Sequence, residues 1–101
     1  MPLFNKERSI KSTITSVLKQ TVADFELLVI NDGSTDKSRE MVAGIQDSRI
    51  KIVDKPNGGV SNARNEGIKF ARNAYIALLD ADDLWEPDFL ATIRQLIVDY
   101  P

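Results

Sequence analysis

The spacing of apolar residues predicts helices that alternate with short strands. Within residues 9–20 apolar side chains fall at i, i+4, i+7 and i+8, which places them on one face of a helix. Three short runs rich in strand-forming residues follow at positions 25–30, 49–53 and 75–79. The Asn-Asp-Gly sequence at 31–33 and the Lys-Pro-Asn-Gly-Gly sequence at 55–59 end the first two runs with turn signals.

Three more helices fit between and after these strands. Ser34 or Thr35 can cap the first, the second is predicted to begin near Val60 or Ser61, and Pro87 suits the first turn of the last. The inward faces of the last two helices are predicted to consist of Val60, Ala63, Gly67, Ile68 and Ala71, and of Leu90, Ile93, Leu96 and Ile97. Alternating helices and strands predict a parallel α/β sheet with covering helices.

Composition restricts the possible ligands and partners of the chain more than it restricts the possible folds. With 101 residues, 43% hydrophobic and 28% charged, the chain is an ordinary globule of one small domain. Its net charge of −2 gives no electrostatic basis for a nucleic-acid partner. The chain has no cysteine and no histidine, so any metal must be a hard cation bound by oxygen atoms. No apolar stretch approaches a membrane span, which favours a cytoplasmic setting and leaves a peripheral position at a membrane open.

Every predicted strand is followed by a polar junction. The junctions lie at 31–36, 57–59 and 80–83. Asp, Asn, Gly and Ser are common turn residues, so each junction alone is more often structural. Because the carboxyl ends of parallel strands meet at one edge, where ligands gather, the three together indicate a shared site.

The acidic junction is the strongest of the three. If the extended geometry persists, Asp80 and Asp82 point to the same side, roughly 6.6 Å apart along the chain, and Asp83 points the other way. Like charges this close repel unless a cation compensates them, and Mg²⁺ or Mn²⁺ held by one or two carboxylates and substrate phosphates would do so. The alternative is a capped turn, which explains one acid but not three.

The other two junctions suit a nucleotide. A carboxylate such as Asp32 can accept hydrogen bonds from a base edge or a ribose hydroxyl. The Asn-Gly-Gly sequence at 57–59 precedes a helix whose free N–H groups attract phosphate, and Arg64 can add a bidentate contact. Taken alone, Gly-Gly before a helix is weak evidence, and an arginine here is more often a surface residue.

The sequence resembles family 2 glycosyltransferases over nearly all of its length. The segments that carry the resemblance are PLFNKE at 2–7, SVLKQT at 16–21, FELLVINDGSTD at 25–36, NGGVSNARN at 57–65 and LDADD at 79–83. The resemblance implies a GT-A fold: a Rossmann-like nucleotide-binding half whose mostly parallel sheet is flanked by helices, here with its first strand largely missing. It also implies a nucleotide-diphosphate-sugar donor and inversion at the anomeric carbon.

The resemblance further implies roles for individual residues. The expected nucleotide-binding residues are Phe4, Asn5, Asp32, Arg64 and Asp80. Asp32 corresponds to the acid that contacts the base, usually uracil. Asp82 corresponds to the direct ligand of Mn²⁺ or Mg²⁺, with Asp80 near the ribose or the metal's water shell. Phe4 and Asn5 correspond to one wall of the nucleotide pocket.

The departures from the family also lead to expectations. Members are usually more than twice this length, and their second half carries the acceptor site and the catalytic base. We therefore expect residues 1–101 to be a truncated donor-binding portion, with the base beyond Pro101 and little transfer by the chain alone. The expected partners are a UDP-sugar, a saccharide or lipid-linked acceptor in cell-surface polysaccharide synthesis, and a second copy that covers the exposed sheet edge.

Three alternatives remain open at this point. The chain can be a non-catalytic truncated α/β domain that only folds or associates. A phosphoacceptor regulator also collects aspartates at strand ends, but it usually needs a lysine on a late strand end that is not placed here. A sugar nucleotidyltransferase would need a Gly-rich basic opening loop that this sequence lacks.

Overall fold

The fold is a parallel sheet with helices in the connections between strands. The structure is a computed structural model that describes residues 1–71 and 77–99, with side chains up to residue 97. In these residues the elements are β1 (Pro2–Leu3), α1 (Ile10–Leu18), β2 (Leu27–Asp32), α2 (Ser38–Ala43), β3 (Ile50–Lys55), α3 (Val60–Phe70) and α4 (Phe89–Asp99). The predicted alternation of helices and strands is confirmed from α1 to α3.

The sheet has the order β1-β2-β3, and both pairings are parallel. β1 is only two residues long, and it places Pro2 opposite Ile30. β2 pairs with β3 along its whole length, from Leu27 opposite Ile50 to Asp32 opposite Lys55. All described strands therefore end at one edge of the sheet, as a parallel sheet requires.

Strands β2 and β3 extend further than their apolar runs. The predicted turn residues Asn31 and Asp32 belong to β2, because β3 continues beside them to Lys55. The Asn31 amide also donates to Asp54 Oδ1 across the pair (2.9 Å), which adds a side-chain bond to the backbone ladder. Phe25 was predicted as strand and is not; the Arg49 guanidinium lies over its ring, 4.5 Å from the centroid.

The hydrophobic core lies between α1 and the sheet. Ile10, Ile14 and Val17 of α1 are buried, as their helical spacing predicts, and they belong to one cluster with Leu3 and Val29. Burying such side chains contributes about 1.5–3 kcal/mol each. This packing fixes the strand ends on which the polar junctions depend.

The predicted inward face of α3 is only partly correct. Ala63 is buried, whereas Val60 and Ile68 are 51% and 48% exposed. The helix packs through its small residues: a Cβ on Gly67 would lie 3.4 Å from Ile30 Cγ1. Close approach of the helix to the sheet at this glycine leaves the larger side chains on either flank outside.

The last helix begins later than predicted and is less buried. α4 starts at Phe89, two residues after Pro87, and the rings of Trp85 and Phe89 stack with centroids 4.4 Å apart. Of the predicted apolar stripe, Ile93 and Leu96 are 36% and 49% exposed. Among the described residues no helix combines the length and apolarity needed to cross a membrane.

The predicted strand at 75–79 is not seen where it can be assessed. Positions 75 and 76 lie outside the described residues, and 77–79 are not assigned to a strand. Leu79 is buried in the core cluster, whereas Leu78 is 58% exposed. Neighbouring residues of an extended chain point in opposite directions, so only one of the two leucines reaches the core.

The cap of α2 also differs from prediction. Neither Ser34 nor Thr35 caps the helix, which begins at Ser38. Instead the Asp36 carboxylate accepts hydrogen bonds from the amide (2.9 Å) and hydroxyl (2.5 Å) of Ser38. The loop after β2 is therefore longer than the sequence suggested. The amides of Thr35 and Asp36 in this loop donate to the Asn5 side chain, as described below, so α2 does not begin there.

Candidate functional site

Polar residues from four parts of the chain meet at the carboxyl edge of the sheet. The loop after β1 contacts the loop after β2, and the loop after β2 contacts the 55–59 loop after β3. The acidic segment 80–83 contacts both the loop after β1 and helix α3. The structure thus brings together the three junctions that the sequence singled out.

Asp32 is the most buried acid of this edge. Its side chain is only 4% exposed and accepts hydrogen bonds from Lys55 Nζ (2.5 Å) and from the amides of Gly58 (2.8 Å) and Gly59 (3.0 Å). Burial alone would raise the pKa of Asp32, but the bonds from Lys55 and the two amides outweigh it and hold the pKa below its usual value. Asp32 is therefore an ionised group that organises the loop leading into α3.

This arrangement changes the expectation for the start of α3. The sequence predicted that the free amides there attract a phosphate group. The amides of Gly58 and Gly59 instead bind the carboxylate of Asp32. The physical principle is the same, because a helix N-terminus attracts an anion, but here the protein supplies the anion itself.

Close packing of the two loops depends on a glycine. Gly33 has φ +72°, and a Cβ there would lie 2.8 Å from the backbone nitrogen of Asn57. The Asn57 side chain also donates to the Asp32 carbonyl (3.1 Å). A side chain at position 33 would push the loops apart and disturb the donors around Asp32.

Asn5 joins the loop after β1 to the loop after β2. It has φ +50°, and its side-chain oxygen accepts hydrogen bonds from the amides of Thr35 (2.8 Å) and Asp36 (3.3 Å). These contacts give Asn5 a structural role at the predicted wall of the pocket. Phe4, the other predicted wall residue, is 41% exposed beside it.

The acidic segment forms a turn rather than an extended strand end. The amide of Asp83 donates to the carbonyl of Asp80 (3.1 Å), and the carboxylate of Asp83 accepts from the amide of Asp80 (3.4 Å). The alternation of sides assumed for Asp80 and Asp82 therefore does not apply, because it requires an extended chain. Asp83 therefore closes this turn with both its amide and its carboxylate.

Each of the other two acids has a basic partner. Arg64 Nη2 lies 2.8 Å from Asp80 Oδ1, and Lys6 Nζ lies 3.5 Å from Asp82 Oδ2. Both pairs are exposed by about two-fifths to one-half, so each is worth at most about 1 kcal/mol and exchanges readily. Among the described residues, Arg64 Nε is a buried side-chain donor without a hydrogen-bond partner, which makes this pairing imperfect.

The donor set suits a hard cation only with help from a ligand. Within the described residues no group of three or more His, Cys, Asp or Glu side chains is arranged to hold a metal ion. Asp80 and Asp82 provide two carboxylates, the number that Mg²⁺ or Mn²⁺ commonly takes from protein when substrate phosphates complete its shell. The acids therefore fit such an ion if Arg64 and Lys6 release them.

Polar residues in α1 and at its two ends hold the acidic segment and the residues that follow it, and the sequence reasoning missed them. The hydroxyls of Ser9 (3.0 Å) and Thr13 (3.1 Å) donate to the carbonyl of Ala81.

The residues after the acidic segment are held in the same way. The Ser16 hydroxyl accepts a hydrogen bond from the amide of Trp85 (3.1 Å). The last contact is Gln20, which donates to the carbonyl of Glu86 (2.7 Å) and accepts from the amide of Leu90 (3.0 Å). The signal was present, because positions 13, 16 and 20 share one helical face beside the apolar stripe.

Comparison with known proteins identifies the family. The family described as "Glycosyl transferase family 2" matches residues 1–101. The chain belongs to this family. This family 2 chain is 44% identical over 85 residues to the uncharacterized glycosyltransferase EpsJ of Bacillus subtilis. It is 46% identical over 86 residues to WfgD of Escherichia coli, named as a UDP-Glc:alpha-D-GlcNAc-diphosphoundecaprenol beta-1,3-glucosyltransferase.

Solved structures confirm the GT-A fold class. TarS 1–349 of S. aureus superposes with a TM-score of 0.91 both in its complex with UDP (25% identity) and in that with UDP-GlcNAc (27% identity). Each match covers 98% of this chain and 31% or 30% of TarS 1–349. The aligned regions cover 82% and 84% of this chain but only 25% and 34% of EpsJ and WfgD. The family 2 chain thus spans about a quarter to a third of these relatives.

Proposed function

We propose that residues 1–101 are the donor-binding part of an inverting, metal-dependent glycosyltransferase that uses a UDP-sugar. The observation that carries the proposal is the meeting of Asp32, Arg64, Asp80 and Asp82 at one sheet edge. The likeness to TarS, whose complexes contain UDP and UDP-GlcNAc, supports a UDP-sugar as the donor.

Helix α3 connects the two acidic parts of the proposed site. Its preceding residue Gly59 binds Asp32, and Arg64 binds Asp80. Five residues separate these contacts, about 7.5 Å along a helix axis. We assign Asp32 to the base and Asp80 to the ribose or the water shell of the metal, at the two ends of this short stretch. Phe4 and Asn5 then flank the nucleotide on the β1 side.

The proposed cofactor is Mn²⁺ or Mg²⁺, bound directly by Asp82. Such an ion stabilises the negative charge that develops on the departing diphosphate. When the donor binds, Lys6 releases Asp82 and Arg64 turns from Asp80 to the phosphate oxygens. Because each of these exposed ion pairs contributes little free energy, breaking them for the new contacts costs little.

The catalytic base and the acceptor site are proposed to lie in other parts of the protein. The acids of the described edge are engaged by the loop, the turn and the basic residues, so none of them is assigned as the base. We propose a saccharide or lipid-linked acceptor, and the name of WfgD, with its diphosphoundecaprenol substrate, supports the second kind. A peripheral position at a membrane would bring such an acceptor within reach.

The test is titration of the chain with UDP, with and without Mn²⁺, by calorimetry or NMR. We expect binding that needs the metal and is lost in Asp82→Ala. The control is Asp24→Ala, which removes the same charge from an exposed loop residue and is expected to bind UDP normally. Equal binding by Asp82→Ala, or none by the folded parent chain, would refute the site assignment and favour a non-catalytic domain.

Self-association through the exposed sheet edge is a second proposal, and an apolar groove that Pro2 of the edge strand β1 helps to line favours it. A cavity of about 450 Å³ lies beside the start of β2, α3 and α4. Its apolar lining includes Val17, Leu27, Leu28, Ile68 and Ile93. We propose that a second copy covers this groove. Sedimentation at rising protein concentration should show a growing dimer fraction, and a clean monomer throughout would contradict the proposal.

A further inference from the structure

Lys55 and Asp32 lie side by side at the carboxyl edge, opposite one another in the register of β3 and β2. Asp32 Oδ1 accepts from Lys55 Nζ (2.5 Å) and from the amide of Gly58 (2.8 Å), whereas Oδ2 accepts from the amide of Gly59 (3.0 Å). Lys55 Nζ donates a second hydrogen bond to the carbonyl of Pro56 (2.6 Å). The pair is thus oriented from several directions and has little freedom to rearrange.

The hydrogen-bonding capacity of this pair is not fully used. A carboxylate oxygen accepts about two hydrogen bonds, and an ammonium group donates three. Among the contacts of the described residues, Oδ2 of Asp32 accepts one and Lys55 donates two. One acceptor position and one N–H donor therefore remain next to each other. The side chain of Asp32 is 4% exposed and that of Lys55 is 12% exposed, and a ligand would reach the pair through this surface.

We propose that Lys55, together with Asp32, selects the base of the nucleotide by reading a carbonyl that lies next to a ring N–H. Uracil presents this edge, because its N3–H lies between two carbonyl oxygens. The N3–H donates to Asp32 Oδ2, and O4, the carbonyl that cytosine replaces with an amino group, accepts from Lys55. This inference rests on the proposed nucleotide site and adds a specificity residue to it.

The same pair rejects cytosine. Its ring N3 carries a lone pair where uracil has N–H, and its amino group is a donor where uracil has a carbonyl. The lone pair would face the Asp32 carboxylate and the amino group would face the Lys55 ammonium, so both contacts become unfavourable. Such mismatches of buried polar groups discriminate far better than differences in shape.

A lysine can also act simply as a positive charge that attracts the diphosphate. In that case Lys55 would strengthen the binding of every nucleoside diphosphate equally. The ratio of the UDP and CDP affinities separates the two roles, because only base reading changes that ratio.

The experiment measures UDP and CDP binding in the presence of Mn²⁺ for the parent chain, Lys55→Met and Lys51→Met. Lys51 is an exposed lysine on the same strand, so its replacement is matched in charge and side chain. For Lys55→Met we expect UDP affinity to fall about tenfold to a hundredfold, as for one hydrogen bond to a charged group, and CDP affinity to change less than about threefold. Lys51→Met should match the parent. An equal loss for both nucleotides in Lys55→Met would overturn the proposal.

A second measurement changes the ligand and leaves the fold of the parent intact. UDP analogues carrying a methyl group on N3, or sulfur in place of either carbonyl oxygen, remove or weaken one contact at a time. We expect the methyl analogue and the 4-thio analogue to bind at least about fivefold more weakly to the parent. In Lys55→Met, or in Lys55→Gln if that variant does not fold, the thio effect should shrink, as coupled contacts require.

The outcomes distinguish this inference from the proposed function. Full binding of the 4-thio analogue by the parent would overturn the role of Lys55 and leave the nucleotide site in place. UDP binding that is lost in Asp82→Ala, with an unchanged UDP to CDP ratio in Lys55→Met, would do the same. Absence of UDP binding to the folded parent would overturn both.

Discussion

Replacing Asp32 by asparagine should destabilise the fold at neutral pH by about 3 kcal/mol. The change keeps the shape of the side chain but leaves the Lys55 ammonium, 12% exposed, without its counter-ion. A hydrogen bond to a charged group contributes about 1.5–3 kcal/mol. The bonds from Gly58 and Gly59 add less than their full value of about 1 kcal/mol each, because both glycines are exposed and can bond to water instead.

The assay is urea denaturation of the parent chain and Asp32→Asn between pH 7 and pH 3. The folded-state pKa of Asp32 is below its unfolded value, so its stabilisation is complete above the unfolded pKa, about 3.9, and is lost as the pH falls through the folded pKa. The stability difference between the two proteins should therefore be constant from pH 7 to about pH 5 and shrink below about pH 4.

Asp54→Asn is the matched control for this prediction. Asp54 lies one strand away and pairs with Arg39, but its side chain is 52% exposed. An exposed pair of this kind contributes about 0–1 kcal/mol, so the control should lose little. A loss in Asp32→Asn no larger than in Asp54→Asn, or a difference that grows below pH 4, would refute the reasoning.

Two further predictions concern other parts of the chain. The side-chain and backbone hydrogen bonds from Arg49 lower the pKa of Asp47 to about 2, so NMR titration should find this carboxyl still ionised at pH 3. The stability that it adds should be complete above about pH 4 and decline as the pH falls from there to about 2. Titration near 3.8 would contradict this. Gly33→Ala should lower the free energy of unfolding in urea by about 2 kcal/mol or more, because φ is +72° and the new Cβ would meet Asn57. The control Gly44→Ala, at φ −76° and with 3.5 Å between the new Cβ and its nearest neighbour, should be neutral or stabilising. Equal effects of the two substitutions would disprove the steric argument.

Local patterns were sufficient for the helices, for β2 and β3 and for most of the core, but not for the strand predicted at 75–79. The spacing of Ile10, Ile14 and Val17 predicted a buried helical face, and these residues are buried. The pattern did not predict how much of the α3 surface the sheet covers. Val60 and Ile68 lie on the predicted inward face of α3 but are exposed to solvent. A sequence pattern identifies a side of a helix, whereas the approach distance to the sheet decides how much of that side is covered.

The candidate site was predicted as a set of residues but not as a set of contacts. The sequence placed Asp32 and the Gly-Gly turn at one edge, yet the bond between them depends on loops 26 and 27 residues apart. Likewise, compensation of Asp82 by Lys6 joins positions 76 residues apart. No periodicity carries such information, because it arises from the register of β2 against β3 and from the path of the chain after each strand.

The hydrogen bonds between residues 9–20 and residues 81–90, the stretch around and after Asp80 and Asp82, have a consequence for the order of folding. They join positions 66 to 72 residues apart, among the longest connections in the chain. Closing so long a loop costs entropy before any contact repays it, so this docking is expected late, after α1 and β2 have formed. Until then the two aspartates are loose groups on an unfolded segment, and their spacing becomes defined only as the rest of the chain completes its fold.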